Sequence, residues 1–456
     1  MSSTRSLDRR AFLRRAGTTA ILGTVGARGL QAAEARRTAD GDLGNRLLPQ
    51  GYDFDEVYDR FGTDSTKWDG PVATYGEHIE VGMGIADMDF RAAPCITEAL
   101  AERCAHENWG YLRRPAAYIE AIVEWNRRRY GLEIDPETVE LTTGVHPGLI
   151  AGLHAFSPPG SRVLLTAPVY SGFYSDIRFT RTVPEDSPMH LVDGRYSVDF
   201  DDFERRAQRA NVFILCNPQN PTGNCWSAED MTRMGEICLE HNVIVFADEI
   251  HCDFVTSGNT YIPFASLPDR DIVDNSITFK AASKSFSLAA MKAAWYFSTN
   301  PDLLARIRSF TRADLSTLGM VANLAALKEG DDWLDQLVPY LDANHDLTES
   351  YIRDNIPMLG HRKAEGTYLA WLDVSRVVER IGAKETAAEE TAKGSRVVSP
   401  EQVVQRWFAE NARVYLNPGH SYGTGGGGRM RMNIASPRSL IERALDNMAE
   451  ALSDLS

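Results

Sequence analysis

Three polar residues follow short apolar runs, and their side chains could act on a bound ring. Lys284 lies in a turn of small residues after Ile277–Lys280, where exclusion of water would lower its pKa and favour Schiff-base chemistry. Asp248 follows another run, and a carboxylate in apolar surroundings needs a partner such as a protonated ring nitrogen. Asn220 lies in a turn with two Asn-Pro pairs, where its amide could donate to a ring oxygen. Taken singly, Lys284 could be a surface lysine, Asp248 a helix cap or part of a buried ion pair, and Asn220 part of an ordinary loop.

The order of these residues points to one cofactor. Asn220, Asp248 and Lys284 are separated by 28 and 36 residues, and each follows a predicted strand. In doubly wound sheets, ligands bind beyond the carboxyl ends of the strands. An amide, a carboxylate and a lysine suit the phenolic oxygen, ring nitrogen and aldehyde of pyridoxal 5′-phosphate (PLP). The sequence therefore predicts PLP and no metal.

The apolar runs predict an α/β fold. They are continuous rather than alternating, which is typical of strands buried on both faces. Helical segments such as Ala228–His241 separate them and indicate a large domain with a mostly parallel sheet between helices. After residue 318 helices dominate, and one strand and an amphipathic helix over 437–455 predict a smaller α+β domain. The four runs that predict sheet strands are Val163–Leu165, Val212–Leu215, Val243–Phe246 and Ile277–Phe279.

The first 35 residues differ from the rest in charge. They contain six arginines and two acids, a net charge of +4, whereas the whole chain carries −15. Paired Arg9 and Arg10, a mildly apolar stretch and a small-x-small site resemble a twin-arginine export signal, with a disordered basic tail as the alternative. We predict a signal peptide (1–35), a segment joining the small domain (36–90), a large PLP-binding domain (91–317) and a C-terminal small domain (318–456). The signal implies export, in a bacterium to the periplasm, after folding.

Further motifs match one enzyme group. The chain resembles the fold-type I PLP enzymes of the class I/II aminotransferase superfamily, and within it the MalY/PatB cystathionine β-lyase group. The resemblance covers about residues 50–455, although Gly84 stands where the group has a bulky aromatic residue. The motifs that carry it are Ile85–Phe90, Asp248–His251, Ser283–Ser287, Gly366–Trp371 and Arg431–Ala435.

The resemblance implies roles for residues of the catalytic centre. Lys284 binds the cofactor aldehyde and then serves as the base at the substrate α-carbon. Asp248 keeps the ring nitrogen protonated, Asn220 faces the ring oxygen and His251 lies nearby. Arg431 binds the substrate α-carboxylate, for which a planar guanidinium is suited.

The remaining implied residues surround the cofactor. Tyr170 stacks on the ring, although a packed strand-end aromatic is the alternative. The backbone N–H groups of Gly144 and Val145, at the start of a helix, can hold the phosphate. The other implied phosphate contacts are Ser283, Lys292 and, from the neighbouring subunit of a homodimer, Tyr111.

Composition limits the classes of partner. The content of 43% hydrophobic and 24% charged residues is that of a globular enzyme. The acidic balance argues against non-specific binding to nucleic acid, and no run is long enough for a membrane span in the mature protein. None of the six cysteines forms a C-x-x-C pair, so we expect reduced thiols, with a Cys216–Cys225 disulfide as the alternative.

Two activities on a small amino acid substrate remain open. The first is C–S β-elimination from cystathionine or cysteine S-conjugates, which gives a thiol, pyruvate and ammonia. The second is amino transfer to 2-oxoacids. Both need Lys284, Asp248 and Arg431, so these motifs do not separate them. A regulatory role on a PLP scaffold is a third reading, which the export signal disfavours.

Overall fold

A seven-stranded mixed sheet forms the centre of the protein. In the computed structural model, which describes residues 51–394 and 396–455, its order is β2-β10-β9-β8-β7-β3-β4. The predicted signal peptide lies outside these residues. In chain order, the strands are β1 (Val81–Gly82), β2 (Glu140–Thr142), β3 (Arg162–Ala167), β4 (Val183–Pro188), β5 (His190–Val192), β6 (Arg195–Ser197), β7 (Ala210–Cys216), β8 (Ile244–Asp248), β9 (Ser276–Lys280), β10 (Ala294–Phe297), β11 (Leu369–Asp373), β12 (Val414–Tyr415), β13 (Asn417–Pro418) and β14 (Arg429–Asn433).

The prediction of a mostly parallel sheet is confirmed. Strands β4, β3, β7, β8 and β9 run parallel to one another, and every residue of β9 is buried. The four apolar runs lie in β3, β7, β8 and β9, except that Val243 precedes β8. Strand β10 was not predicted; it is antiparallel to both β9 and β2. The carboxyl ends of β7, β8 and β9 therefore meet at one edge.

Helices cover the sheet, and their ends follow local signals. Ser227 caps the helix predicted at Ala228, because its side chain accepts a hydrogen bond from the Asp230 N–H. In chain order, the helices are α1 (Asp69–Tyr75), α2 (Pro94–Cys104), α3 (Ala116–Tyr130), α4 (Val145–Phe156), α5 (Ser171–Phe179), α6 (Phe200–Ala207), α7 (Ala228–Glu240), α8 (Arg270–Asp274), α9 (Pro301–Arg308), α10 (Thr317–Glu329), α11 (Asp331–Asn355), α12 (Ser375–Arg380), α13 (Ala383–Lys393), α14 (Pro400–Trp407) and α15 (Arg438–Ser453).

A smaller antiparallel sheet, β11-β14-β13, lies in the C-terminal part of the chain. The predicted amphipathic helix is α15, whose apolar face packs into the same hydrophobic cluster as β11 and β14. The N-terminal segment joins this part, because β1 pairs in parallel with β12 and Val81 and Met83 enter the cluster. The domain boundaries drawn from the sequence stay a prediction.

Two further observations concern the described residues. No helix among them is both long and apolar enough to cross a membrane. All six cysteines lie within the described part and are free, and Cys216 and Cys225 are both buried. Burial raises the pKa of the Cys225 thiol to about 12, so this thiol stays protonated at neutral pH.

Candidate active site

Asp248 occupies the middle of the sheet edge at which the predicted residues meet. As the last residue of β8, it lies beside Cys216 of β7 and Phe279 of β9. Its side chain is buried, and burial raises its pKa to about 7. Oδ1 accepts a hydrogen bond of 3.1 Å from the Ile250 N–H, and no ion pair reaches this carboxylate within the described part of the chain. A buried carboxylate of this kind favours a bound cation.

Lys284 lies on the loop after β9 and points toward the N-terminal segment. Its Nζ donates a 2.8 Å hydrogen bond to the backbone oxygen of Ala86. Burial lowers the pKa of the amine to about 8, the positive charge of Arg431 lowers it further, and Asp87 and Asp248 oppose this shift. A larger fraction of the amine is therefore neutral at pH 7 than in an exposed lysine. A neutral amine is the form that can attack a carbonyl carbon.

Arg431 and Asn220 are in direct contact. The Arg431 Nη1 donates to Oδ1 of Asn220 at 3.2 Å, and Nη2 donates to the backbone oxygen of Gly84 at 2.7 Å. Arg431 is 2% exposed, and its Nε has no hydrogen-bond partner among the described residues. Because arginine has five N–H donors, three remain for a planar anion such as a carboxylate.

Gly84 makes room for this arrangement. A Cβ atom there would lie 2.7 Å from the Tyr415 ring and 2.8 Å from Oδ1 of Asn417. Tyr415 thus occupies space that a large side chain at position 84 would need. The glycine therefore leaves space for Tyr415 beside the backbone oxygen that accepts from Arg431.

His251 directly follows Ile250, is buried and has a ring nitrogen without a hydrogen-bond partner among the described residues. Its Nδ1 has no hydrogen-bond partner among the described residues, and its ring lies edge-on to Tyr368 at 5.7 Å. Burial lowers the pKa of His251 well below its usual value, and the cations of Lys284 and Arg431 add to this. A neutral buried imidazole can donate or accept one hydrogen bond from a bound ring substituent.

The predicted phosphate contacts differ in position. Gly144 precedes α4 and Val145 is its first residue, so this helix end presents backbone N–H groups without intrahelical acceptors. Ser283 is partly buried one residue before Lys284, whereas the Lys292 side chain is exposed. Tyr111 is fully exposed. Neither Lys292 nor Tyr111 makes a side-chain hydrogen bond or ion pair with the described residues, and their contact with a phosphate stays a prediction.

Tyr170 directly precedes α5 and is partly buried, and burial raises its pKa to about 12. Its hydroxyl lies 3.3 Å from Nε2 of His146, and Nδ1 of His146 lies 2.6 Å from Oδ2 of Asp176. The sequence predicted a role only for the backbone N–H groups of Gly144 and Val145 at the helix start, and no role for His146 or Asp176. Their separation of 30 residues gives no local pattern, because the contact depends on how α4 and α5 pack.

A second missed group holds the N-terminal segment against the site. Asp89, fully buried, accepts hydrogen bonds from Lys67 Nζ at 2.6 Å, Arg60 Nη1 at 2.9 Å and Trp68 Nε1 at 2.8 Å. Asn433 donates from Nδ2 to the backbone oxygens of Ile85 and Asp87. These contacts fix the backbone of residues 84–87, whose oxygens accept from Arg431 and Lys284.

Comparisons with known proteins identify the family of this chain. Residues 78–448 match the family "Aminotransferase class I and II". The chain is 36% identical over 408 residues to cystathionine beta-lyase PatB of Bacillus subtilis, covering 88% of this chain and 100% of that protein. It is 30% identical over 410 residues to protein MalY of Escherichia coli, covering 88% and 99%.

A solved structure with the same architecture is that of a PLP-bound C-S lyase from Staphylococcus hominis. Its TM-score with this chain is 0.77 at 30% sequence identity, and the match covers 88% of this chain and 98% of that one. The similarity therefore spans both the large sheet and the C-terminal part that carries Arg431. Because the family match covers most of the sequence, this chain belongs to the class I and II aminotransferase family.

Proposed function

We propose that this chain is a PLP-dependent C–S β-lyase. It cleaves cystathionine or cysteine S-conjugates, with water, to a thiol, pyruvate and ammonia. The observation that carries the proposal is that Asp248 ends β8 and Lys284 follows the adjacent β9 at one sheet edge, where Arg431 of the smaller sheet contacts Asn220. The chain is also similar over most of its length to cystathionine beta-lyase PatB and to a C-S lyase.

The described residues fit PLP as the cofactor. Among the described residues, the buried carboxylate of Asp248 has no cation partner and His251 Nδ1 has no hydrogen-bond partner. Lys284 is a partly buried amine with a lowered pKa. The start of α4 offers N–H groups to a phosphate. When bound, PLP supplies an electron sink for negative charge at the substrate α-carbon.

The side chains of this protein would divide the remaining tasks. Lys284 takes the proton from the α-carbon, since its amine is partly neutral near pH 7. Asp248 holds a proton on the ring nitrogen by its negative charge. Arg431 binds the α-carboxylate through N–H groups not engaged by Asn220 or Gly84. Expulsion of the thiol from the β-carbon then distinguishes a lyase from an aminotransferase.

An assay of both reactions tests the proposal. The purified protein with PLP is incubated with L-cystathionine and S-substituted cysteines, and thiol and pyruvate are measured; amino donors with 2-oxoacids are supplied in parallel. We expect stoichiometric thiol and pyruvate, with the Lys284→Ala protein as the inactive control. Amino transfer without thiol release would overturn the lyase assignment in favour of the aminotransferase.

Arg431→Lys is expected to weaken substrate binding. Lysine keeps the charge but loses the planar fork, so at least one charge-assisted hydrogen bond to the carboxylate is lost, a cost of about 1.5–3 kcal/mol. We expect KM to rise about 10- to 100-fold with a smaller change in kcat. Arg429→Lys is the matched control, because Arg429 lies in the same strand and pairs with Asp373. Equal KM values for the two variants would remove Arg431 from the carboxylate site.

We propose that the active form is a homodimer. Trp109, Tyr111 and Leu112 expose large apolar surfaces beside a groove of about 990 Å³ that is also lined by residues 311–318. Apolar exposure of this kind favours an interface, and a second copy would let Tyr111 reach a neighbouring phosphate. Sedimentation equilibrium should give twice the chain mass; a monomer that retains full turnover would contradict this proposal.

We also propose export through the twin-arginine route, which the net positive charge and the paired arginines of residues 1–35 support. A fusion of residues 1–40 to a folded reporter should be exported, and replacing Arg9 and Arg10 with lysine should block this. Export that is unaffected by the double replacement would remove the assignment. Export in the folded state suits an enzyme that acquires its cofactor before it leaves the cytoplasm.

A further inference from the structure

His146 and Asp176 form a close pair that has no task in the proposed function. His146 is the second residue of α4, and Asp176 lies in α5, where its side chain is 6% exposed. Nδ1 and Oδ2 are 2.6 Å apart. Burial alone lowers the pKa of His146, but the hydrogen bond and charge of Asp176 outweigh it, so the pKa lies above its usual value. The pairing therefore sets the orientation of the imidazole.

The other nitrogen of His146 faces Tyr170. Because a carboxylate only accepts hydrogen bonds, Nδ1 must donate to Asp176. Nε2 then accepts the Tyr170 O–H when the ring is neutral and donates to the Tyr170 oxygen when it is protonated, across 3.3 Å. In both states the tyrosine hydroxyl has a partner, so the chain Asp176–His146–Tyr170 stays intact.

The surroundings leave room for this arrangement and limit other positions of the tyrosine. A Cβ atom at Gly172 would lie 2.4 Å from Cε1 of His146 and 2.5 Å from Cε1 of Tyr170, so even alanine would displace a ring. Phe173 packs edge-on against Tyr170, with centroids 5.5 Å apart and planes at 83°. Tyr170 is thus confined by Phe173 along its ring and by His146 at its hydroxyl.

We propose that His146 and Asp176 are positioning residues that hold the hydroxyl of Tyr170 and thereby fix the angle of its ring on the face of the bound cofactor. The inference rests on the proposed function, in which Tyr170 lies against the PLP ring. The pair touches neither substrate nor cofactor in this role, and its effect passes through one hydroxyl group.

The test is a double-mutant cycle read out by cofactor binding. PLP dissociation constants are measured by quenching of tryptophan fluorescence, and the visible circular dichroism of bound PLP reports the geometry of its surroundings. Asp176→Asn and Tyr170→Phe should each weaken PLP binding about three- to tenfold, the size of one lost hydrogen bond, and reduce the dichroism. In the Tyr170→Phe background, Asp176→Asn should add no further loss.

Several outcomes would overturn the inference. Tyr170→Phe with unchanged binding and dichroism would show that the hydroxyl is not needed, and this variant retains the aromatic ring. An equal effect of Asp176→Asn with and without the hydroxyl would assign Asp176 a purely structural role. The control is Asp302→Asn, an exposed residue in the first turn of α9, which should bind PLP like the parent.

The same experiment separates this inference from the proposed function. Parent protein that takes up no PLP would overturn both. Parent protein that binds PLP and cleaves cysteine conjugates, with Asp176→Asn unchanged in binding and dichroism, would overturn the positioning role alone. If Asp176→Asn does not fold, His146→Phe offers a second route, since it keeps a ring but removes the partner of the Tyr170 hydroxyl; it should weaken PLP binding by a similar factor and add no loss in the Tyr170→Phe background.

Discussion

Lys284→Ala is expected to abolish the visible absorption that the chain gains from a covalent link to PLP and to lower turnover at least about a thousandfold. Two functions are lost together. The amine can no longer bind the aldehyde, and no base remains at the α-carbon, a contribution of about 10²–10⁴ by itself. The expectation rests on the partly buried position of Lys284, whose Nζ donates to the backbone oxygen of Ala86, and on the lowered pKa of the amine.

Absorption spectroscopy after PLP addition and dialysis, with a thiol-release assay, tests this prediction. A small primary amine added to the Lys284→Ala protein should restore part of the turnover, because it can replace the missing base. A tertiary amine has no N–H and therefore should not form the covalent link to the aldehyde. Lys328→Ala, an exposed position near the end of α10, is the matched control and should behave like the parent. Retained turnover in Lys284→Ala would place the catalytic lysine elsewhere.

The sequence could predict those parts of the site that depend on strand ends. Asn220, Asp248 and Lys284 each follow a continuous apolar run, and parallel strands deliver their carboxyl ends to one edge. Arg431 was assigned through family resemblance, because it lies in the smaller sheet and nothing local links it to Asn220, which it contacts across 211 residues.

Contacts between packed helices could not be predicted in the same way. His146 and Asp176 meet only because α4 and α5 lie side by side and Gly172 carries no side chain. Strand β10 was missed although its four residues are all buried, since so short an apolar run does not distinguish strand from helix. The exposure of Tyr111 follows from its position on a loop at the surface of the single chain.

Asp248→Asn is expected to have the second largest effect, with turnover lowered at least about a hundredfold. Asparagine is neutral, so it cannot hold a proton on the ring nitrogen by charge, and the electron sink is weakened. The replacement is nearly the same size and can still accept the hydrogen bond from the Ile250 N–H. The loss should therefore appear in kcat with native far-UV circular dichroism, and Asp302→Asn again serves as the control. Unchanged kcat would separate Asp248 from the chemistry.

The same replacement should change the pH dependence of stability in the cofactor-free protein. Burial raises the pKa of Asp248 from 3.8 to about 7 in the folded chain. Between these values the folded state binds more protons than the unfolded state, so the free energy of unfolding falls as pH rises through the window, by up to about 4 kcal/mol.

Urea unfolding of the cofactor-free parent and Asp248→Asn proteins at pH 4 to 8 measures this contribution. Asparagine does not titrate, so the variant should gain stability relative to the parent as pH rises, with the difference levelling off above about pH 7. PLP should narrow the difference by stabilising the parent, because its protonated ring nitrogen pairs with the carboxylate and ligand binding adds to the free energy of unfolding. A parent and variant with parallel pH profiles would mean that Asp248 is already ionised without a partner, and that its burial does not prepare it for a cation.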